Sequence, residues 1–194
     1  MLINLEGIDG CGKSTQSQFL MDKFESNNEK IILLKEPTNG KYGQKLWEML
    51  SGKIEATTEE ILELFVLDRR EHVNEKIKPA LDEGKIVLMD RYYYSTMAYQ
   101  AAAGIDVNRI RKDNQFAPKP DIVLIFDLPA DLAMKRVRSH SVADVFEKEE
   151  HLEKVRKAYL NLEDDSLVRI IDATRAPEEI FDEVWKLVSE VRNG

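Results

Sequence analysis

The run Gly7-Ile8-Asp9-Gly10-Cys11-Gly12-Lys13-Ser14 has residue types and a spacing that imply phosphate chemistry. It fits the pattern G-x-x-x-x-G-K-[ST], in which a glycine-rich turn cradles the phosphates of a nucleotide. The glycines let the backbone turn so that successive N–H groups point at phosphate oxygens. A helix opening at Lys13 adds its positive N-terminal end. Lys13 can reach β and γ phosphates, and Ser14 offers a hydroxyl to Mg²⁺. Cys11 reads as a small loop residue, because the cradle does not need its side chain. Asp9 is less expected, since a carboxylate among phosphates is electrostatically unfavourable. It makes sense if it bonds the loop or orients an arginine that bridges two substrates.

A second chemical element is Ile86-Val87-Leu88-Met89-Asp90, an apolar run that ends in a carboxylate. Next to a phosphate cradle, such an Asp holds Mg²⁺ directly or through water. Arg91 follows at once. In a phosphate site its planar guanidinium is a fork for phosphate oxygens.

The elements that must position these groups alternate along the chain. Strand-like apolar runs cover Leu2 to Glu6, Lys30 to Leu34, Ile86 to Asp90, Ile122 to Asp127 and Val168 to Asp172. Each is short and nearly continuous, as a strand covered on both faces should be. Helical patterns cover Lys13 to Glu25, Tyr42 to Leu50, Thr58 to about Glu83, Ser95 to Ala103, Ala130 to Val137, Lys148 to Leu162 and Pro177 to Val191. Thr57 is placed to cap the long third helix, and acidic Glu59 and Glu60 follow in its first turn. Gly84 closes that helix, and Pro79 is placed to kink it. Alternating β and α segments imply an α/β fold with a parallel sheet and helices on both faces. Ligands of such sheets bind outside the carboxyl ends of the strands, where the cradle and Asp90 fall.

Composition sets the limits. The chain has 194 residues, 43% of them apolar and 33% charged, with a formal net charge of −8. An acidic chain argues against a general nucleic-acid surface. No apolar run reaches the length of a membrane span, and Met1 to Glu6 reads as a strand rather than a signal segment, so a cytoplasmic protein is expected. A lone cysteine excludes an internal disulfide, and no Cys/His set has zinc spacing.

With these residues in view, the chain resembles the thymidylate kinase family over most of its length. Glu6 to Thr15 is similar to that family's E-G-x-[DE]-G-x-G-K-[ST]-T. Glu36-Pro37 resembles its R-E-P element, with Lys35 where arginine is usual. Asp90 to Gln100 resembles D-R-[YH]-x-x-S-x-x-A-Y-Q, Pro120-Asp121-Ile122 its P-D-[LI], and Ile171-Asp172-Ala173 its I-D-A near the adenine. The resemblance implies one P-loop nucleoside monophosphate kinase domain over 1–194, strand order 2-3-1-4-5, a mobile lid at about 138–147, Mg²⁺ and ATP, and a homodimer. It implies that ATP phosphorylates dTMP to dTDP on the route to dTTP. The alternatives are a kinase for another nucleoside monophosphate or a slow nucleotide-binding relative.

Carried over by position, Gly7 to Thr15, Asp172 and Ala173 would bind the nucleotide, and Ser14 and Asp90 the metal. Glu36 and Pro37 would line the acceptor site. Phe65 would stack on thymine and Arg69 would bond its O4. Residues four apart share a helix face, so the two can frame one base. Ser95 or Thr96 would approach the base, Gln100 would also bind the substrate, Tyr99 would lie under the sugar and disfavour a 2′-hydroxyl, and Arg91 would hold the monophosphate. Arg70 reads as solvated or paired with Glu63 or Glu71. The family's bridging arginine is missing from both usual places, where Gly10 and Val145 stand. Arg138, then Arg136, are the expected substitutes, and Asp9, Lys13, Arg91 and Arg138 the expected catalytic set. Trp47 stands where an arginine supporting the monophosphate is usual.

Overall fold

A computed structural model describes residues 1–136 and 142–193, with backbone alone for 142–148. Five parallel strands form one sheet: β1 (Leu2–Glu6), β2 (Ile31–Lys35), β3 (Ile86–Asp90), β4 (Ile122–Asp127) and β5 (Val168–Asp172). Their order is β2-β3-β1-β4-β5, as the resemblance implied. Leu2 to Leu5 of β1 run beside Val87 to Asp90 of β3, and Ile3 to Glu6 beside Ile122 to Ile125 of β4.

The sheet is covered on both sides because its strands are apolar at odd and even positions alike. Ile3, Leu5, Ile86 and Leu88 belong to the larger core. Leu2, Val87 and Met89 pack in a second cluster with Val73, Ile77 and Ala80. β2 departs from the expectation of full burial. It is an edge strand, and Leu33 is 45% exposed.

Helices α1 (Lys13–Ser26), α2 (Lys41–Leu50), α3 (Thr58–His72), α4 (Lys78–Asp82) and α5 (Tyr93–Ala102) follow the expected positions to within a few residues. So do α7 (Ala130–Arg136) and α9 (Pro177–Asn193). Thr57 and Glu60 form a reciprocal capping box: Thr57 Oγ1 accepts from Glu60 N at 3.2 Å, and Glu60 Oε2 from Thr57 N at 2.8 Å. The long third helix is not one α-helix to Glu83. Val73–Ile77 is a π-helical turn between α3 and α4. Its place is explained by Pro79, which cannot donate to the carbonyl of Glu75 and whose ring crowds it, so the ladder widens there. The structure adds a helix that the sequence reading did not pick out, α6 (Val107–Asp113), with Asp106 Oδ1 accepting from Asn108 N at 3.0 Å. α8 (Val142–Leu160) begins earlier than expected.

All five strands carry an acidic residue at or just past the carboxyl edge: Glu6, Glu36, Asp90, Asp127 and Asp172. Each has a partner that offsets its charge or satisfies its oxygens. Glu36 holds Arg69, Asp90 holds Lys35, and Asp127 holds Arg156 of α8 at 2.6 Å. Asp172 accepts from Thr174 N at 2.9 Å. Glu6 accepts from Tyr92 N at 2.8 Å. The chemistry therefore collects at one edge of the sheet.

Candidate active site

The loop between β1 and α1 turns at Gly7, Gly10 and Gly12, whose φ values are 132°, 86° and 103°. An L side chain rarely adopts these angles. At Gly7 space also forbids one, since a Cβ would sit 2.6 Å from the Phe126 carbonyl oxygen and 2.8 Å from Cys11 Sγ. Ile8 and Cys11 are buried, which leaves the backbone to face the cleft. Lys13 folds back over the loop, with Nζ donating to Gly7 O at 2.9 Å and Ile8 O at 3.1 Å. Burial lowers its pKa, and the charge of Arg91 adds to the effect. An incoming phosphate would reverse that balance by supplying negative charge.

A cleft of about 540 Å³ opens over this loop. Gly10 to Thr15, Lys35 and Asp90 line its phosphate end, and Arg136, Arg175, Pro177 and Ile180 line the rest. Arg136 Nη1 is 3.4 Å from Gly10 O, and its Nη2 is 3.4 Å from Ala173 O. Arg136 thus bridges the loop and the turn after β5. Asp172 is occupied in that turn by Thr174, and Ala173 is buried with its carbonyl toward Arg136. Arg138, with the expected lid up to residue 141, lies outside the described residues, and the Val145 side chain does too.

The oxygens here suit Mg²⁺. Asp90 Oδ2 pairs with Lys35 Nζ at 3.1 Å, while its buried Oδ1 has no hydrogen-bond partner. Ser14 borders the same cleft. Among the described residues no group of three or more His, Cys, Asp or Glu is placed to hold a metal. That suits an ion bound by one carboxylate, a hydroxyl and substrate phosphates rather than by a protein cage.

A second cleft, of about 450 Å³, lies on the other side of Arg91. It brings together Glu36, Pro37, Phe65, Arg69, Arg91, Ser95, Thr96, Tyr99 and Gln100, which the sequence reading had taken from three separate segments. Phe65 is only half-buried and belongs to neither core cluster, so its ring is available to a ligand. Arg69, one turn on, is 1% exposed. Arg70 lies over the ring of Phe116 at 4.1 Å, so its neighbour is aromatic rather than acidic. Trp47 and His151 also line this cleft. His151 had no signal in the sequence, because only the path of α8 brings it beside Tyr99.

Arg91 is the junction. It lies between β3 and α5 with a φ of 71°, in the left-handed region. Its Nη2 donates to Asp9 Oδ1 at 2.6 Å, and its Nη1 to Ser95 Oγ at 3.1 Å and Tyr159 OH at 3.4 Å. Behind it lies Glu6, buried, accepting from Ser95 Oγ at 2.5 Å and Tyr159 OH at 2.9 Å. Burial raises the Glu6 pKa, while the Ser95 hydrogen bond and the charge of Arg91 work against that rise. Tyr99 OH is 3.5 Å from Arg91 Nη2, and burial pushes its pKa up to about 12, so it is neutral. Glu6 and Tyr159 were not read as site residues. Their polar atoms are turned inward; Glu6 opens the motif at the phosphate loop, whereas nothing in the spacing of Tyr159 indicates its place.

A phosphate-loop α/β sheet, with a second cleft that shares Asp9 and Arg91 with the first, defines a nucleoside monophosphate kinase. Residues 5–184 match the family model "Thymidylate kinase". The chain is 41% identical over 194 residues to a probable thymidylate kinase of Archaeoglobus fulgidus, covering 100% of this chain and 97% of that protein. It is 47% identical over 163 residues to the thymidylate kinase of Desulfotalea psychrophila, covering 83% and 81%. With that of Xanthomonas oryzae pv. oryzae it shares 42% over 165 residues, covering 84% and 72%. The chain belongs to the thymidylate kinase family.

Proposed function

We propose that this protein transfers the γ-phosphate of ATP to dTMP, giving dTDP and ADP. The observation that carries this reading is the meeting of two clefts at Asp9 and Arg91, one built on a phosphate loop and the other on side chains suited to a pyrimidine. Phe65 offers a ring face. Arg69 offers an N–H donor, which suits a carbonyl oxygen of thymine. Gln100 Oε1 is buried without a partner and suits the N3–H of the base.

The acceptor phosphate is already an anionic nucleophile, so the reaction needs no strong general base. What it needs is alignment and charge neutralisation. Lys13 serves the β and γ phosphates, and Arg91 the acceptor phosphate. Arg136, which lines the first cleft, is placed to reach the donor side. Mg²⁺ bound with ATP at Ser14 and Asp90 would neutralise charge between the phosphates. Asp9 holds Arg91 at the junction. Tyr99, which lines the second cleft, would pack beneath the sugar. A homodimer and a cytoplasmic setting are part of the same proposal, on the family resemblance. Among the described residues no helix is long and apolar enough to cross a membrane.

A coupled ADP-release assay across dTMP, dUMP, UMP, CMP and AMP tests the reading. The expected result is the highest kcat/KM with dTMP. A higher value for another acceptor, or ADP release that no acceptor stimulates, would overturn it.

A further inference from the structure

Arg69 lines the acceptor cleft, and a guanidinium carries five N–H donors in a fixed plane. Four are committed within the protein. Nε and Nη2 both reach Glu36 Oε2, at 2.8 and 2.7 Å. Nη2 also donates to Thr96 Oγ1 at 3.1 Å, and Nη1 donates to Asn114 Oδ1 at 2.6 Å. The guanidinium carbon lies 5.4 Å from the centre of the Tyr92 ring. Among the described residues one N–H, on Nη1, is left for a ligand.

The nitrogen that carries this N–H is held by Asn114, which does not itself line the cleft. Asn114 follows α6, is 3% exposed, and donates from Nδ2 to Ile110 O at 2.8 Å. That bond fixes its amide, with the donor end turned to Ile110 and Oδ1 turned to Arg69. Glu36 is steadied from its far side by His72, whose Nδ1 is 3.1 Å from Glu36 Oε1. A carboxylate oxygen accepts, so Nδ1 carries the proton in this contact.

We propose that Asn114 is a positioning residue for base selection. By holding Nη1 it aims the one uncommitted N–H at the 4-position of the bound pyrimidine, so that a 4-oxo base is accepted and a 4-amino base is refused. A 4-amino group would place donor against donor, and a site built to hydrogen-bond one group discriminates strongly against its mismatch. The proposal rests on the reading of Arg69 as the base contact in a thymidylate site. Without Asn114 the fork to Glu36 persists, but Nη1 loses its anchor and the aim of the last N–H is no longer fixed.

The test compares Asn114→Ala with the parent on dTMP and dCMP, with melting temperature as the control for folding. The expected result is a rise of about tenfold or more in the KM for dTMP, the size of losing one charged hydrogen bond. The preference for dTMP over dCMP should fall, while kcat and the KM for ATP stay within about twofold. Asn114→Asp keeps the acceptor oxygen and loses the donation to Ile110, so it should melt lower yet retain a KM for dTMP near the parent's. A folded Asn114→Ala with unchanged KM and unchanged preference overturns the proposal. Should Asn114→Ala not fold, Asn114→Asp decides: a parent-like KM supports the role, and a raised KM overturns it. A parent that does not prefer dTMP to dCMP removes the thymidylate reading as well. A parent that does prefer it, with an indifferent Asn114→Ala, removes the Asn114 role alone.

Discussion

Arg91 Nη2 lies 2.6 Å from Asp9 Oδ1, a contact between residues 82 apart in the chain. Both residues border both clefts. Arg91 reaches this position from a left-handed backbone angle, with its N–H held by Leu5 O at 3.0 Å in the β1–β3 ladder. A non-glycine residue held there costs on the order of 1–3 kcal/mol and persists only when its surroundings fix it. Here the β1–β3 register, Ser95, Tyr159 and Asp9 do so. Asp9 therefore holds the arginine between the two clefts, which accounts for a carboxylate inside the glycine-rich loop.

Lys13→Ala should abolish transfer and leave the fold intact. Among the described residues Lys13 Nζ bonds only loop carbonyls and the Cys11 sulfur, so its loss removes a positive charge from the loop and little packing. A fall of about a hundred- to a thousandfold in kcat/KM is expected, as for other electrostatic transition-state groups. Circular dichroism together with a steady-state assay checks it. Near-normal turnover would remove Lys13 from the phosphate site.

Tyr99→Ala should relax the choice between dTMP and its ribose counterpart. Tyr99 borders the acceptor cleft, with its ring edge-on to Tyr159 at 6.3 Å and its hydroxyl near Arg91. Removal opens space beneath the sugar. The relative kcat/KM for the ribonucleotide should rise by roughly tenfold, the scale on which a pocket rejects a group by shape. An unchanged ratio, with both activities lowered together, would mean that the ring only packs.

Arg136→Ala should lower kcat more than it raises either KM. Arg136 Nη1 lies 3.4 Å from the carbonyl oxygen of Gly10, which stands where the family's arginine is usual. A bridging arginine in phosphoryl transfer is worth about a thousandfold or more in rate. If Arg138 holds that role, Arg138→Ala carries the larger loss, and Val145→Arg in that background should recover part of it. Single-turnover rates of the variants rank the two. A kcat within a few-fold of the parent in both Ala variants would leave the chain without a bridging arginine.

Glu6 makes stability depend on pH. Burial holds its folded pKa above the ordinary 4.5, so the folded state keeps the proton more tightly than the unfolded state. Its contribution is fully present below 4.5 and is lost as pH rises through the folded value. Glu6→Gln cannot ionise. The melting temperature of Glu6→Gln relative to the parent should therefore become more favourable as pH rises from 4.5 toward about 7. A flat or opposite trend would mean that Arg91 and the hydrogen bonds outweigh burial.

The amino-acid sequence alone determined the alternation of strands and helices, the phosphate loop and the carboxylate that ends β3. These are local signals, carried by glycine spacing, apolar periodicity and residues a few positions apart. With the family resemblance it also designated the acceptor residues, from Glu36 to Gln100, and all of them line one cleft. The π-helical turn was not legible, because Pro79 signals a disturbance but not its form. The short α6 was missed, since its Asp106 cap precedes only two turns. Tertiary structure alone decided that Asp9 faces Arg91, that Tyr159 and Glu6 lie behind it, and that Asn114 meets Arg69. Each of these contacts joins residues 45 to 153 positions apart, from Arg69–Asn114 to Glu6–Tyr159. A hydrogen bond needs two atoms about 3 Å apart, and no local propensity encodes that separation across strands and helices. The register of the sheet and the packing of the helices set it.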